Sequence, residues 1–172
     1  MLFDMPICTY YFAYGSNMAV ERLAKRVPSA KKICVVSLRG YLLKFHKVSN
    51  DNSGKCDAVP SGNTEDRLYG ILFKVKREEL EKLDAFEGGY KRKVITVVSE
   101  ADETFENVET YIAMPAKTSS ELRPYSWYKE HVLRGAKASG LPAAYISKID
   151  AVACDEDTDI ERHAREMAIY SQ

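Results

Sequence analysis

The chain of 172 residues has no surplus of either charge: 25 Lys and Arg stand against 25 Asp and Glu, a formal net charge of +0. A nucleic-acid binder normally carries a basic excess, so no such partner is expected. No apolar run approaches the ~20 residues that a membrane-spanning helix needs, and no membrane partner is expected either. Residues 1–8 lack the positive start and long apolar stretch of a secretory leader. Cysteine is scarce, and Cys8, Cys34, Cys56 and Cys154 form no CxxC spacing. The expectation is of reduced, partly buried thiols in a soluble, cytoplasmic protein. His46, His131 and His163 are scattered, none with a carboxylate or cysteine at metal-ligand spacing, so no metal site is expected. A Cys/His nucleophile pair stays open, because such partners meet only in space. Repeats and low-complexity linkers are also missing.

What is present fits one domain with a short appendage. Residues 7–14 are rich in β-branched and aromatic side chains and predict a strand. The strand runs into Gly15-Ser16-Asn17 and then a helix, with Ser16 or Asn17 as its N-cap; Pro28 closes that helix. Residues 33–38 and 41–45 predict two strands around Arg39-Gly40. Residues 50–64 predict a loop, since Asp, Asn, Ser, Gly and Pro dominate it. Residues 68–75 predict a strand with Tyr69, Ile71, Phe73 and Val75 on one face. Residues 77–86 predict a short helix stopped by Gly88-Gly89, and residues 93–98 and 108–114 a strand pair across an acidic turn. Helices follow: one opened by Pro124 and ended by Gly140, one opened by Pro142, and a last amphipathic one carrying Ile160, Ala164 and Met167. Strands mixed with helices, without regular alternation, predict an α+β fold.

Two places could carry chemistry. The first is Tyr14-Gly15-Ser16-Asn17, where a strand ends and several backbone N–H groups face one point. Such a place holds a carboxylate, a phosphate or a developing oxyanion, although strand-turn-helix with a polar cap is also ordinary fold grammar. The second is Glu87. It follows Leu80 by seven residues and Leu83 by four, spacings that put it on the same helix face. A carboxylate buried there would have a raised pKa and serve as a proton acceptor near neutrality. The ordinary alternative is a solvated Glu at a frayed helix end.

Together these places carry a resemblance. Tyr11-Phe12-Ala13-Tyr14-Gly15-Ser16-Asn17 is similar to the signature loop of the γ-glutamylcyclotransferase family. Leu83-Asp84-Ala85-Phe86-Glu87-Gly88 resembles the family's segment with the catalytic glutamate. Gly135-Ala136-Lys137-Ala138-Ser139-Gly140-Leu141-Pro142, followed by Tyr145, resembles its C-terminal helix junction. Three motifs in order, spanning Tyr10 to Ala151, are far more specific than any one. The resemblance implies a small mixed β-barrel-like sheet flanked by helices over residues 1–153, with residues 154–172 as a C-terminal tail that could be helical. It implies Glu87 as the catalytic acid/base and Tyr14, Gly15, Ser16, Asn17, Tyr90 and Tyr111 as substrate-binding residues. The partner implied is a small γ-glutamyl molecule, with a homodimer left open, and the reaction implied needs no cofactor. Asn17 resembles the branch acting on γ-glutamyl amino acids; the glutathione-specific branch carries another residue there. A branch acting on γ-glutamyl amines, and a non-catalytic binding module on the same fold, are the alternatives.

Overall fold

A computed structural model describes residues 7–171. The expectation for a leader therefore falls, for residues 1–6, outside the described residues. Five strands close a barrel in the order β1 (Cys8–Ala13), β5 (Arg67–Lys76), β2 (Lys31–Arg39), β6 (Tyr90–Ser99) and β7 (Thr104–Ala113). Every neighbouring pair is antiparallel except the closure, where β1 and β7 run parallel through Tyr10↔Val108 and Tyr11↔Glu109. A separate two-stranded sheet, β3 (Tyr41–Val48) and β4 (Gly54–Pro60), stands beside the barrel. The helices are α1 (Val20–Arg26), α2 (Arg77–Leu83), α3 (Ser126–Ser139), α4 (Ala143–Asp150) and α5 (Ile160–Met167). The fold is thus α+β with a barrel-like sheet, and among the described residues no helix is long and apolar enough to cross a membrane.

Three local expectations need correction. Residues 50–64 are not all loop, because β4 lies within them. Composition misleads there. The polar side chain of Asp57 is buried yet satisfied, accepting from the Ala113 N–H (2.8 Å) and meeting His46 Nε2 (2.8 Å), while Cys56 and Ala58 enter the core. The strand at 68–75 is not one-faced: Leu68 and Leu72 are as buried as Ile71 and Phe73. One face of β5 looks into the closed barrel, and β3 and α2 pack against the strand as well, so both of its faces are covered. Nor do Ser16 and Asn17 cap a helix. Ser16–Met18 form a 3-10 turn of their own, and α1 starts after Ala19 without a side-chain cap.

α3 forms the wall behind the first strand's end. It buries Trp127, Tyr128, His131, Val132, Leu133, Gly135 and Ala136, and it stops at Gly140, whose φ of 72° is the left-handed conformation that glycine supplies at a helix end. The segment after residue 153 is tied to this helix by polar groups. Asp157 accepts from Trp127 Nε1 (2.8 Å) and from two nitrogens of Arg162 (both 2.6 Å). Glu166 meets Arg22 of α1 (2.6 Å) and His131 Nε2 (3.2 Å), and Tyr170 reaches His131 Nδ1 at 2.5 Å. Met167 packs against the core, whereas Ile160 is 79% exposed and anchors nothing.

These carboxylates make docking pH-dependent. Hydrogen bonds from Arg162 hold Asp157 far below the usual carboxylate range. Burial pushes Glu166 up, but the His131 hydrogen bond and the Arg22 charge outweigh it and leave its pKa at about 2. A depressed carboxylate contributes stability that is complete above its unfolded value of 4.5 and is lost as pH falls toward about 2. Glu166→Gln should therefore lower the urea midpoint near neutrality, and the difference from the parent should shrink as pH is lowered through that window. The single Trp of the chain, Trp127, reports it by fluorescence. A difference that stays constant across the window contradicts this account.

Candidate active site

β1 delivers Tyr11, and the chain leaves the strand through Tyr14 and turns through Gly15, Ser16 and Asn17. The turn is seated by α3. A Cβ on Gly135 would lie 2.4 Å from the Met18 carbonyl carbon and 2.6 Å from the Ala19 nitrogen, so only glycine lets the helix approach the loop backbone this closely. Gly15 also sits tightly: its φ is −114°, an ordinary value, but an added Cβ would lie 3.0 Å from Cys56 Cβ, so that side chain would have to give way slightly.

The second half of the site comes from the end of α2. Leu80 and Leu83 are fully buried, and a 3-10 turn, Asp84–Phe86, carries the chain on to Glu87. Glu87 thereby lines a cavity with Tyr11, Tyr14, Gly15, Ser16, Asn17, Tyr90 and Tyr111; its empty volume is about 320 Å³, mouth included. All seven residues singled out from the sequence meet at this one place. Cys56, Thr110 and Tyr128 complete the lining and were not foreseen. Phe86, the neighbour of Glu87, points outward at 60% exposure, under the guanidinium of Arg26 (5.0 Å to the ring centre).

The hydroxyls of the predicted tyrosines are already engaged. Tyr14 donates to the Tyr111 carbonyl, Tyr90 to the Cys56 carbonyl (2.6 Å), and Tyr111 to Asp84 Oδ1 (2.6 Å). Tyr128 accepts from the Cys56 N–H at 3.0 Å. Burial pushes all four phenols far above their ordinary range, so they form a neutral wall. Burial likewise pushes the Cys56 thiol up to about 12, which removes it as a thiolate nucleophile.

Charge concentrates on Glu87. Asn17 Nδ2 donates to Glu87 Oε1 (3.2 Å) and to the Tyr11 hydroxyl (3.0 Å). Asn17 Oδ1 is buried without a partner. Desolvation raises the Glu87 pKa above the ordinary value, against the pull of Arg26, the Asn17 amide, Lys47 and Arg22. None of these cations was legible as a site residue. They lie on α1 and β3 at no spacing that marks them, and only the fold turns them toward one carboxylate. A carboxylate with a raised pKa, in a walled cavity beside a turn of backbone amides, can take and return a proton.

The chain matches the model of the AIG2-like family over residues 67–149. It is 33% identical over 150 residues to the human gamma-glutamylcyclotransferase, covering 83% of this chain and 77% of that protein. It is 32% identical to the mouse protein of the same name, covering 85% and 79%. A solved structure named gamma-glutamyl cyclotransferase superposes with a TM-score of 0.82 at 26% identity, over 96% of this chain and all of that one.

The charge balance can be checked without any ligand. Arg26→Met and Asn17→Ala should each raise the Glu87 pKa further, because each removes a group that favours the ionised form. Arg26→Met should raise it more, since the Arg26 charge is the largest opposing influence. Carboxyl-carbon NMR titration of labelled Glu measures both shifts. A fall in either variant would show that the environment of Glu87 is misassigned.

Proposed function

The chain belongs to the γ-glutamylcyclotransferase family of enzymes, and we propose that it releases 5-oxoproline from γ-glutamyl amino acids or amines with Glu87 as its acid/base. The observation that carries this is the Glu87 carboxylate, hydrogen-bonded to Asn17 and facing the Gly15–Asn17 turn across one cavity. Membership in a family of enzymes leaves the non-catalytic binding module without support.

The reaction is intramolecular. The substrate's α-amine attacks its own γ-carbonyl carbon, a C–N bond closes the five-membered lactam, and the C–N bond to the leaving amine breaks. Nucleophile and electrophile share one molecule, so the protein's main task is to hold the folded conformer in a walled cavity. The α-amine is mostly protonated at neutrality, its pKa being ~8 or above, and cannot attack until it loses a proton. The attacking nitrogen gives up two protons on its way from ammonium to lactam N–H; Glu87 takes them in turn and passes each to the departing nitrogen, which leaves as an ammonium, so the carboxylate ends ionised as it began. Asn17 Oδ1, buried and without a partner, is an acceptor suited to the ammonium. The amides of the Gly15–Asn17 turn hold the α-carboxylate or the oxyanion.

Glu87→Gln should leave a folded protein whose 5-oxoproline release is down by at least ~100-fold, the scale of general acid/base catalysis. Near-normal turnover by the purified variant would sink the assignment.

The pH profile follows from the same group. Glu87 must be ionised in the free enzyme, and desolvation places its pKa above 4.5. Activity at low substrate is therefore retained above that raised pKa and lost as pH falls through it. A substrate whose α-amine is less basic should shift the basic limb and leave the acidic limb in place. An acidic limb that follows the substrate amine would reduce Glu87 to a holder of the ammonium.

A further inference from the structure

Lys47 lies on β3, outside the residues that line the cavity, yet it is only 7% exposed. Its ammonium stands 4.7 Å from the centre of the Tyr90 ring, one of the cavity walls. It also presses on the segment just after Glu87: a Cβ on Gly89 would meet Lys47 Nζ at 3.3 Å. Its ammonium lies over that aromatic face, and among the described residues no acidic side chain forms an ion pair with it. Asp51, the other acid that acts on it, is bound to Lys55 at 3.1 Å. Lys117 lies alongside and adds a second positive charge.

Two cations act on Glu87 without an ion-pair partner of their own among the described residues. Arg22 is matched by Glu166, which leaves Arg26 and Lys47 facing the single carboxylate of Glu87. On the cyclotransferase reading above, on which this inference rests, a γ-glutamyl alkylamine is a zwitterion whose two charges lie on the glutamyl half. A γ-glutamyl amino acid brings one more carboxylate, on the leaving half. The leaving nitrogen is protonated by Glu87, so the leaving half must lie beside Glu87. In an α-amino acid the carboxylate carbon is two bonds from that nitrogen. An ammonium held behind Gly89 and Tyr90 is placed for that carboxylate, while the Gly15–Asn17 turn serves the glutamyl half.

We propose that Lys47 recognises the carboxylate of the leaving amino acid and so sets the preference for acid over neutral leaving groups. Partly desolvated charge pairs of this kind are strong, because little water competes for the ammonium.

The test compares γ-glutamyl-L-alanine with its neutral isostere, γ-glutamyl-L-alaninamide, by 5-oxoproline release. The wild-type protein should favour the acid in kcat/KM by roughly tenfold or more, the scale of one charged hydrogen bond. Lys47→Met, which keeps the apolar stem against Tyr90, should lower kcat/KM for the acid by about as much, mainly through KM. Assayed well above the Glu87 pKa, where loss of the Lys47 charge leaves that carboxylate ionised, it should lower that for the amide much less, so that the two substrates converge. Lys47→Arg should restore most of the preference. Equal efficiency of the wild-type protein on the two substrates, or parallel losses in Lys47→Met, overturns this inference alone. No 5-oxoproline from either substrate overturns the cyclotransferase reading and this inference with it. Should Lys47→Met fail to fold, Lys47→Gln carries the same comparison, since a wild-type preference by itself does not distinguish Lys47 from Arg26 or Lys117.

Discussion

A carboxylate withdrawn from water must be given partners or take up a proton, and Glu87 is under both pressures: desolvation raises its pKa while Arg26, Asn17, Lys47 and Arg22 favour the ionised form. Four elements are organised around that balance. β1 supplies Tyr11, the turn after it Asn17, α1 the guanidinium of Arg26, and β3 the ammonium of Lys47. The Asn17 amide is the direct contact and bridges Glu87 to Tyr11, fixing the carboxylate's position. The cations act from farther off. They offset desolvation only in part, which leaves a group able to exchange protons.

The periphery reaches the same carboxylate through Arg22. That residue lies between Glu166 and the Arg26–Glu87 region, and Glu166 takes up its charge. Were Arg22 unmatched, two guanidiniums of one helix would repel each other beside the cavity; Arg22 already lowers the pKa of Arg26. His131, fully buried on α3, holds Glu166 in place and is held in turn by Tyr170. The last helix is therefore electrically joined to the site without touching the cavity.

The elements marked by periodicity or by strong punctuation were legible from the sequence: the strand before Gly15, the helix before Glu87, and the stop at Gly140. The meeting of Tyr14, Gly15, Ser16, Asn17, Glu87, Tyr90 and Tyr111 followed from motif order, since their spacing along the chain says nothing of proximity. Three kinds of fact were hidden. Asp57 looked like a loop residue because its partners, Ala113 and His46, come from other strands. The second buried face of β5, with Leu68 and Leu72, was not read because its cover depends on β3 and α2 packing against the strand, which a strand cannot announce by itself. Lys47 carried no signal at all, since a lysine in a strand is ordinarily solvated and its burial depends on what the segment at residues 117–118 covers.

The parallel seam between β1 and β7 has a consequence for how the molecule comes into being. The first strand is paired on one edge by β5 and on the other by β7, so neither of its neighbours exists until the chain has been made to residue 67, and the second only after residue 104. Contacts of such sequence separation close late and slowly, because chain entropy opposes them before they are rewarded. During synthesis the aromatic first strand must wait with both edges open, which is the state in which strands find wrong partners. The motif that begins the site is the first to be made and among the last to be enclosed. Folding, more than final stability, is where substitutions along that seam should be felt.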